Sequence, residues 1–323
     1  MADPCFAPGR AVACTAYLAA AGFVDELLAE LGDVIAVHGR LVIAAGPPRP
    51  AAWAQNRWFE PEEIAVRSIK DAARALRSRQ RNWALYAFNL HRRAALIEAA
   101  LPKVSAKKLV FPAPAPKAPL GSWTLLAPDR LLAATRCDSP FPNGEAVFVE
   151  DRSGPPNRAY LKLWEALTWL GEDPRPGQRC LDLGSSPGGW SWVVARLGAT
   201  VIAVDKAALA PAVAALPGVE FRQGSAFALD PATVGPLDWW FCDVVCYPSR
   251  LLALVRRWLA GGQVARMVAT VKFQGVTDHA TARAFAAIPG SELRHLSHNK
   301  HELTWFWRAP GSTVPKPPGA AAG

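Results

Sequence analysis

The sequence lacks both long apolar runs and paired cysteines. No run reaches the roughly 18 apolar residues that a membrane-spanning helix needs, so no membrane span is expected. The six cysteines are scattered and form no C-x-x-C pair. This spacing argues against a zinc ribbon or a disulfide scaffold and favours a reducing compartment. We therefore expect a cytoplasmic protein that neither enters a membrane nor binds a metal ion.

An apolar stretch near the start, residues 11–24, is the nearest candidate for a leader peptide. One aspartate and two prolines precede it, which is unlike the start of a signal peptide. The pattern also continues through residues 25–31 to Gly32, as in an amphipathic helix that ends at a glycine. We interpret the stretch as part of the folded protein rather than as a secretion signal.

Length and composition predict two packed domains. The chain has 323 residues, against about 150 for a typical domain, and 51% of its residues are apolar. Four prolines within residues 111–119 predict a stiff connector. We predict an accessory domain at 1–150 that includes this connector, a second domain at 151–309, and a disordered tail at 310–323.

The second half alternates short apolar strands with helices, and this pattern predicts a mostly parallel sheet because parallel strands need crossover connections. Only a short turn separates the last two strands, so the last strand is expected to be antiparallel. The predicted fold class is α/β, with a Rossmann-like sheet. Strands are predicted at 179–183, 201–204, 219–222, 239–245, 267–273, 292–295 and 302–308, and helices at 158–170, 190–197 and 248–259.

The first half has a less regular pattern. Residues 62–76 predict one helix, and residues 83–100 predict a segment of mixed structure. Strands are expected at 123–126 and 145–149. Together these predict a smaller α+β domain.

A glycine-rich turn joins a predicted strand to a predicted helix between Asp182 and Trp190. Glycines let the backbone come close to a bound molecule, and Asp205, which ends the next strand, is placed to accept hydrogen bonds from ribose hydroxyls. The G-x-x-x-G-G spacing differs from the G-x-G-x-x-G pattern that binds a pyrophosphate. A carboxylate at Asp182 would repel a pyrophosphate but suits an amino group. S-adenosylmethionine has an amino group and a ribose but no phosphate, so the loop predicts that cofactor rather than a nicotinamide dinucleotide.

The loop from Asp182 to Ser191 resembles the D-L-G-x-x-P-G-G-[WF]-[ST] loop of the FtsJ-like ribose 2′-O-methyltransferases. That family has a catalytic Lys-Asp-Lys-Glu tetrad, and residues of those types stand at the matching positions in the same order. The resemblance covers residues 158–308 and implies the Rossmann-like sheet of S-adenosylmethionine-dependent methyltransferases. The implied catalytic residues are Lys162, Asp243, Lys272 and Glu302. The implied cofactor-binding residues are Asp182, Gly184, Ser185, Ser186, Pro187, Gly188, Gly189, Trp190, Asp205, Ser225 and Asp243.

Two details of this half have alternative interpretations. Ser225 stands where the family commonly has an acidic residue that contacts the adenine amino group, so backbone groups would have to serve instead. The aromatic run 239–241 suits either adenine stacking or core packing, and its strand setting favours the core.

Methyl transfer to a hydroxyl requires the alcohol to lose its proton while its oxygen gains negative charge. A ribose 2′-hydroxyl is a poor acid, so a positive group must lie beside it. Lys272 ends an apolar strand at the edge where open α/β sheets bind ligands. Next to a second cation such as Lys162, it can act as a base with a lowered pKa, or it can stay charged and stabilise the oxygen. The residues leave both roles open.

Positive charge is concentrated in the segment 67–108. The chain has a net charge of +9, and this segment alone holds eleven basic and two acidic residues, 11 − 2 = +9. Such a surface can neutralise RNA phosphates, and its aromatics at 83, 86 and 88 can stack on bases unless they belong to the core. We predict that the segment binds RNA; the alternative is a solvated face over an aromatic core.

Parts of the first half resemble the amino-terminal region of one branch of the family, the RlmM-type methyltransferases of a cytidine ribose in large-subunit ribosomal RNA. The resemblance involves residues 57–59, 123–126 and 139–144 and implies a THUMP-related RNA-binding domain. The predicted function is S-adenosylmethionine-dependent 2′-O-methylation of RNA, with ribosomal RNA as the expected substrate. A methyltransferase with a non-RNA substrate and a non-catalytic RNA-binding protein are the alternatives.

Overall fold

The computed structural model describes residues 13–104 and 107–311. Within them the chain forms two compact units. The first comprises residues up to 109 together with 115–147, and the second comprises 110–114 with residues from 148 onward. The predicted tail at 310–323 lies outside the described residues except for its first two positions.

The first unit contains two sheets in its described residues. Its elements are β1 (Cys14–Ala19), α1 (Val24–Leu31), β2 (Val34–His38), β3 (Leu41–Ala45), β4 (Ala54–Phe59), β5 (Glu62–Ala65), α2 (Ile69–Arg77), β6 (Trp83–Leu85), α3 (His91–Ala99), β7 (Gly121–Ala127), β8 (Arg130–Ala134) and β9 (Arg136–Cys137). One sheet has the order β2-β3-β1-β4-β9 and the other β5-β8-β7-β6. The unit is therefore α+β, as predicted.

Two predictions in the first unit were wrong. Residues 62–76 do not form one helix, because β5 pairs with β8 and places Ile64 opposite Leu131 in the sheet. The helix α2 begins only after Ser68, whose hydroxyl accepts a hydrogen bond from the amide of Asp71 at 3.1 Å. Residues 145–149 alternate buried and exposed side chains like a strand but do not form one, since no β-strand extends along them.

Other predictions in this unit were confirmed. The helix α1 ends at Gly32, which has φ 77°, a conformation that glycine adopts readily. The strand β7 includes the predicted residues 123–126. Trp83 and Tyr86 are buried, so at these two positions the core interpretation is correct and they are not available to stack on RNA bases.

The second unit is a seven-stranded sheet flanked by helices. Its elements are α4 (Tyr160–Leu170), β10 (Arg179–Leu183), α5 (Gly189–Arg196), β11 (Thr200–Asp205), α6 (Pro211–Ala214), β12 (Val219–Gln223), α7 (Pro231–Val234), β13 (Leu237–Cys242), α8 (Pro248–Gly261), β14 (Val264–Lys272), α9 (His279–Ala286), β15 (Ser291–Arg294) and β16 (Glu302–Arg308). The strand order is β12-β11-β10-β13-β14-β16-β15. The pairs from β12 to β14 are parallel, and β16 is antiparallel to both β14 and β15. The predicted Rossmann-like sheet with an antiparallel last strand is confirmed.

The strand order of the second unit determines where a ligand can bind. From β10 the chain proceeds outward to β11 and β12, and then returns to β13 on the other side of β10. Open α/β sheets bind ligands at such a switch point, beyond the carboxyl ends of the strands. Below this edge the sheet is tightly packed: Trp239, Trp240 and Phe241 have no exposed surface, which confirms their assignment to the core.

Part of the predicted connector packs against the second unit. Residues 110–114 belong to this unit, and the ring of Phe111 stacks on Trp164 of α4 with 4.9 Å between centroids. In the described part of the chain, no helix is long and apolar enough to cross a membrane. Among these same residues, no cluster of histidine, cysteine and carboxylate side chains is arranged to hold a metal ion.

Candidate active site

Four residues predicted to be catalytic meet at the carboxyl edge of the second unit's sheet. Lys162 lies in the first turn of α4, and Asp243 follows the last residue of β13. Lys272 ends β14 directly opposite Glu302, which begins β16. The antiparallel pairing of these two strands therefore brings together residues that are thirty positions apart in the sequence.

Asp243 connects the two lysines. Its Oδ1 lies 3.0 Å from Nζ of Lys162 and 2.9 Å from Nζ of Lys272. Lys162 also lies 3.1 Å from Oε1 of Glu302. The Thr270 hydroxyl donates a further hydrogen bond to Oδ1 of Asp243. Buried charges persist only when paired in this way, so the cluster forms one network.

The network stabilises the charged forms of Asp243 and Lys162. Burial by itself would raise the pKa of Asp243, but the ammonium groups of Lys272 and Lys162 outweigh it and hold the pKa below its usual range. Burial would likewise lower the pKa of Lys162, but the carboxylates of Asp243 and Glu302 outweigh it and raise the pKa. Lys162 therefore remains an ammonium at neutral pH.

A cavity of about 430 Å³ opens beside this network, which is within the range of small-molecule sites. Asp243 and Lys272 line it, whereas Lys162 and Glu302 do not. The other predicted site residues on its wall are Gly184, Ser186, Asp205 and Ser225. The same cavity is therefore lined by two residues of the glycine loop, Gly184 and Ser186, and by two residues of the tetrad, Asp243 and Lys272.

The glycine at position 184 is required by close packing. Its φ is 77°, and a Cβ there would lie 2.7 Å from Cγ2 and 2.8 Å from Cα of Val244. A side chain would push apart the loop and the segment that carries Asp243. At Gly188 the φ of 117° likewise excludes other residues.

Asp205 lies on the cavity wall at the end of β11. Its Oδ2 accepts a hydrogen bond from the amide of Ser186 at 3.0 Å, and its Oδ1 accepts one from the amide of Ala207 at 3.0 Å. Each carboxylate oxygen retains a free lone pair that can accept a hydrogen bond from a hydroxyl group. This arrangement suits the two hydroxyls of a ribose. Ser225, also on the wall, accepts a hydrogen bond from the amide of Phe227 at 3.3 Å.

Other predicted loop residues lie beneath the cavity rather than on its wall. Asp182 is completely buried and accepts a hydrogen bond from the Ser191 hydroxyl at 2.6 Å. Burial raises the pKa of Asp182 to about 7, against the lowering effect of that hydroxyl. Trp190 is buried and donates its indole hydrogen to the carbonyl of Ala159 at 2.9 Å. Pro187 accepts a hydrogen bond from the amide of Ala210, also at 2.9 Å.

Two polar atoms of the loop lack partners among the described residues. They are Oδ1 of Asp182 and Oγ of Ser185, and both are buried. A buried polar atom without a hydrogen bond destabilises the fold. Such atoms are expected where a small polar ligand supplies the missing partner.

Sequence reasoning missed three residues of the site. Phe227 and Arg250 line the cavity, and the guanidinium of Arg250 lies 3.9 Å from the centroid of the Phe227 ring. Thr270 binds Asp243 from the strand that carries Lys272. Of these three, only Thr270 could have been found from the sequence. It precedes Lys272 by two positions in a predicted strand, and residues with this spacing lie on the same face of a strand.

A second buried carboxylate holds the segment between β15 and β16. Glu165 lies one turn after Lys162 on α4, and its side chain is 4% exposed. It accepts hydrogen bonds from the backbone amides of Ser297 and His298 at 2.8 and 2.9 Å. It also contacts the hydroxyl of Ser297 and Nδ1 of His298 at 2.9 and 2.6 Å. These bonds fix the segment that leads to Glu302 on the helix that carries Lys162.

Comparison with known proteins agrees with this geometry. Residues 155–272 match the model of the FtsJ-like methyltransferase family. This segment is therefore similar to the FtsJ-like methyltransferases. It includes Lys162, Asp243 and Lys272, while Glu302 lies beyond it. The resemblance seen in the sequence is therefore confirmed.

Two curated relatives are named ribosomal RNA large subunit methyltransferase M. The protein from Halorhodospira halophila is 37% identical over 161 residues, which are 47% of this chain and 47% of that protein. The protein from Azoarcus sp. is 37% identical over 187 residues, which are 53% of this chain and 50% of that protein. The chain thus spans about half the length of the curated relatives it matches.

Among solved structures, the fibrillarin pre-rRNA processing protein of Methanococcus jannaschii is 16% identical to this chain. The match covers 57% of this chain and 81% of that protein, with a TM-score of 0.36.

Proposed function

We propose that this protein is an S-adenosylmethionine-dependent RNA 2′-O-ribose methyltransferase that acts on ribosomal RNA in the cytoplasm. The observation that carries the proposal is the contact of Asp243 with Lys162 and Lys272, at 3.0 and 2.9 Å, beside a cavity of about 430 Å³ that Asp243 and Lys272 line. The FtsJ-like match and the names of the two relatives support the same conclusion.

The residues around the cavity fit S-adenosylmethionine. Asp205 is placed to accept both ribose hydroxyls, and Phe227 offers an apolar ring to the adenine, in a region where Ser225 replaces an acid. The unpartnered oxygens of Asp182 and Ser185 can receive hydrogen-bond donors such as the cofactor's amino group. When bound, the cofactor supplies an electrophilic methyl group. The loop Gly184–Trp190 would hold it through these side chains and its backbone.

The tetrad prepares a hydroxyl for attack on that methyl group. Lys272 is the cation of the tetrad that lines the cavity, so we assign it to the substrate hydroxyl. Asp243 holds Lys272 in place, and Lys162, which remains charged, holds Asp243 together with Glu302. A preorganised positive charge beside the reacting oxygen would stabilise the negative charge that develops on it as the hydroxyl proton leaves to solvent.

The first unit supports RNA as the substrate. The segment 67–108 accounts numerically for the net charge of +9, and a basic surface of this kind binds phosphates. We propose that this unit is a THUMP-related RNA-binding domain. Trp83 and Tyr86 are buried, so the basic side chains rather than these aromatics would make the contacts.

The test is methyl transfer to bulk RNA from cells that lack the protein. The Lys272→Ala variant is expected to lower the rate by about 10²- to 10⁴-fold. The matched control is Lys300→Ala, because Lys300 is exposed and does not line the cavity, and this variant should keep the wild-type rate. The proposal fails if wild-type protein adds no methyl group to ribose, or if Lys272→Ala is as active as the control.

A further inference from the structure

A second cavity lies within the first unit. It has a volume of about 520 Å³, larger than the cavity beside the tetrad. Its walls come from the end of the basic segment, from the proline-rich stretch 116–120 and from residues 140–147. The methyltransferase chemistry proposed above uses none of these residues.

The cavity has strong positive charge. Four cationic side chains line it: Arg81, Lys103, Lys107 and Lys117. All four are exposed, and none forms an ion pair with another described residue. The one carboxylate on the wall, Glu145, lies 3.5 Å from Arg40, which offsets its charge. The cavity therefore attracts an anion that the chain itself does not supply.

Much of the remaining wall is apolar, and it is held in place by hydrogen bonds. Buried Phe141 lines it together with Leu120 and Val147. Asn82 donates a hydrogen bond to the carbonyl of Pro119 at 3.1 Å, which ties the proline-rich stretch to β6. The amide of Leu109 donates one to the carbonyl of Val147 at 2.8 Å. The cavity is thus largely preformed, as ligand sites usually are.

One polar atom in this wall lacks a partner. Asn143 has a left-handed backbone with φ 55°, and its Nδ2 donates a hydrogen bond to the carbonyl of Leu85 at 3.0 Å. Its Oδ1 is buried and accepts no hydrogen bond from the described residues. This oxygen can accept a hydrogen bond from the exocyclic amino group of a base.

We propose that this cavity binds one unpaired nucleotide of an RNA, with the base against Phe141 and the flanking phosphates against the lysines. The inference rests on the proposed function, since it takes RNA as the substrate. Apolar walls, an amide acceptor and a ring of cations together match a nucleotide, because unpaired bases are read by stacking and by hydrogen bonds to their edges. An acidic peptide would satisfy the cations but would leave the apolar wall and Asn143 unused.

The test compares two double variants of the chain described above that lose equal charge. Lys107→Ala with Lys117→Ala removes two cations from the cavity. Arg256→Ala with Lys300→Ala removes two exposed cations that lie outside the basic segment and line neither cavity. Binding to a single-stranded RNA decamer is measured by fluorescence anisotropy at about 0.1 M salt. Two lost phosphate contacts predict about 25-fold weaker binding for the cavity variant, against less than about threefold for the control.

A second, independent test varies the base composition of the RNA oligonucleotide. Uracil has no exocyclic amino group, so oligo(U) should bind more weakly than oligo(A) or oligo(C) to the wild type. Equal losses in the two double variants, or equal binding of poly-glutamate and RNA, would overturn the cavity proposal while methyl transfer to RNA continues. If the wild type binds no RNA and methylates none, the proposed function fails as well.

Discussion

Lys162 and Lys272 in the second unit have side chains only 13% and 16% exposed, and both contact Asp243 within 3.0 Å. The four cations around the first unit's cavity are exposed and have no carboxylate partner among the described residues. Burial forces the first pair into a fixed network, since an unpaired buried charge is strongly destabilising. Exposed, unpaired cations instead act over about 10 Å on a distant polyanion. The two arrangements suit chemistry in one unit and RNA binding in the other.

The largest expected effect comes from removing the carboxylate of Asp243, which Lys162 and Lys272 share. Asp243→Ala leaves two ammonium groups close together without their common partner. We expect methyl transfer to fall by at least about 10³-fold, and the free energy of unfolding of the second unit to fall by about 3 kcal/mol. Methyl transfer and urea unfolding measure the two effects.

The control for this variant is Glu172→Gln. Glu172 forms a buried ion pair with Arg266 and does not line the cavity beside the tetrad. It should lower stability to a similar degree but leave the rate of the folded protein near that of the wild type. If both variants lose activity in proportion to stability, the tetrad has only a structural role.

Salt concentration should affect RNA affinity strongly and the rate of methyl transfer only weakly. With four phosphate contacts, RNA affinity is expected to fall by about 50-fold between 50 and 200 mM salt. The rate at saturating RNA should change little, because buried pairs are weakly screened. A rate at saturating RNA that falls as steeply as affinity would contradict the division of roles.

The positioning role of Glu165 predicts a smaller effect. Glu165→Gln removes an acceptor for the segment that leads to Glu302, and we expect kcat to fall by about tenfold with unchanged RNA affinity. Glu165→Asp should recover part of the loss. A change in RNA affinity without a change in kcat would exclude this role.

The smallest predicted effect concerns Asp182 and is visible only in the pH dependence of stability. Because burial raises the pKa of Asp182 to about 7, the folded state favours its protonated form. Its stabilising contribution is complete below the unfolded pKa and is lost as pH rises through about 7. The free energy of unfolding of Asp182→Asn, minus that of the wild type, should therefore be larger at pH 8 than at pH 5. Urea unfolding at both pH values measures this, with the exposed Glu220→Gln as a control that should show no such trend.

The sequence predicted the second unit better than the first for a physical reason. Strands 179–183 and 302–308 were predicted with the bounds that the structure has, because each is a short segment rich in apolar residues between turn signals. Residues 62–76 were predicted as one helix because their periodicity does not show that Ile64 faces β8. Pairing partners distant in sequence decide such cases.

The candidate site was predicted in part. A family motif locates Lys162, Asp243, Lys272 and Glu302, and the sheet brings them together, although their catalytic roles stay predictions. The contact of Arg250 with Phe227 and the complete burial of Asp182 arise only from tertiary packing. No local pattern indicates them.

The most direct test of the central claim is a map of 2′-O-methylated nucleotides in cellular RNA, with and without this protein. We predict that one ribosomal RNA position loses its methyl group when the protein is absent. Wild-type protein should restore it, and the Lys272→Ala variant should not. An unchanged map, or full restoration by that variant, would contradict the account.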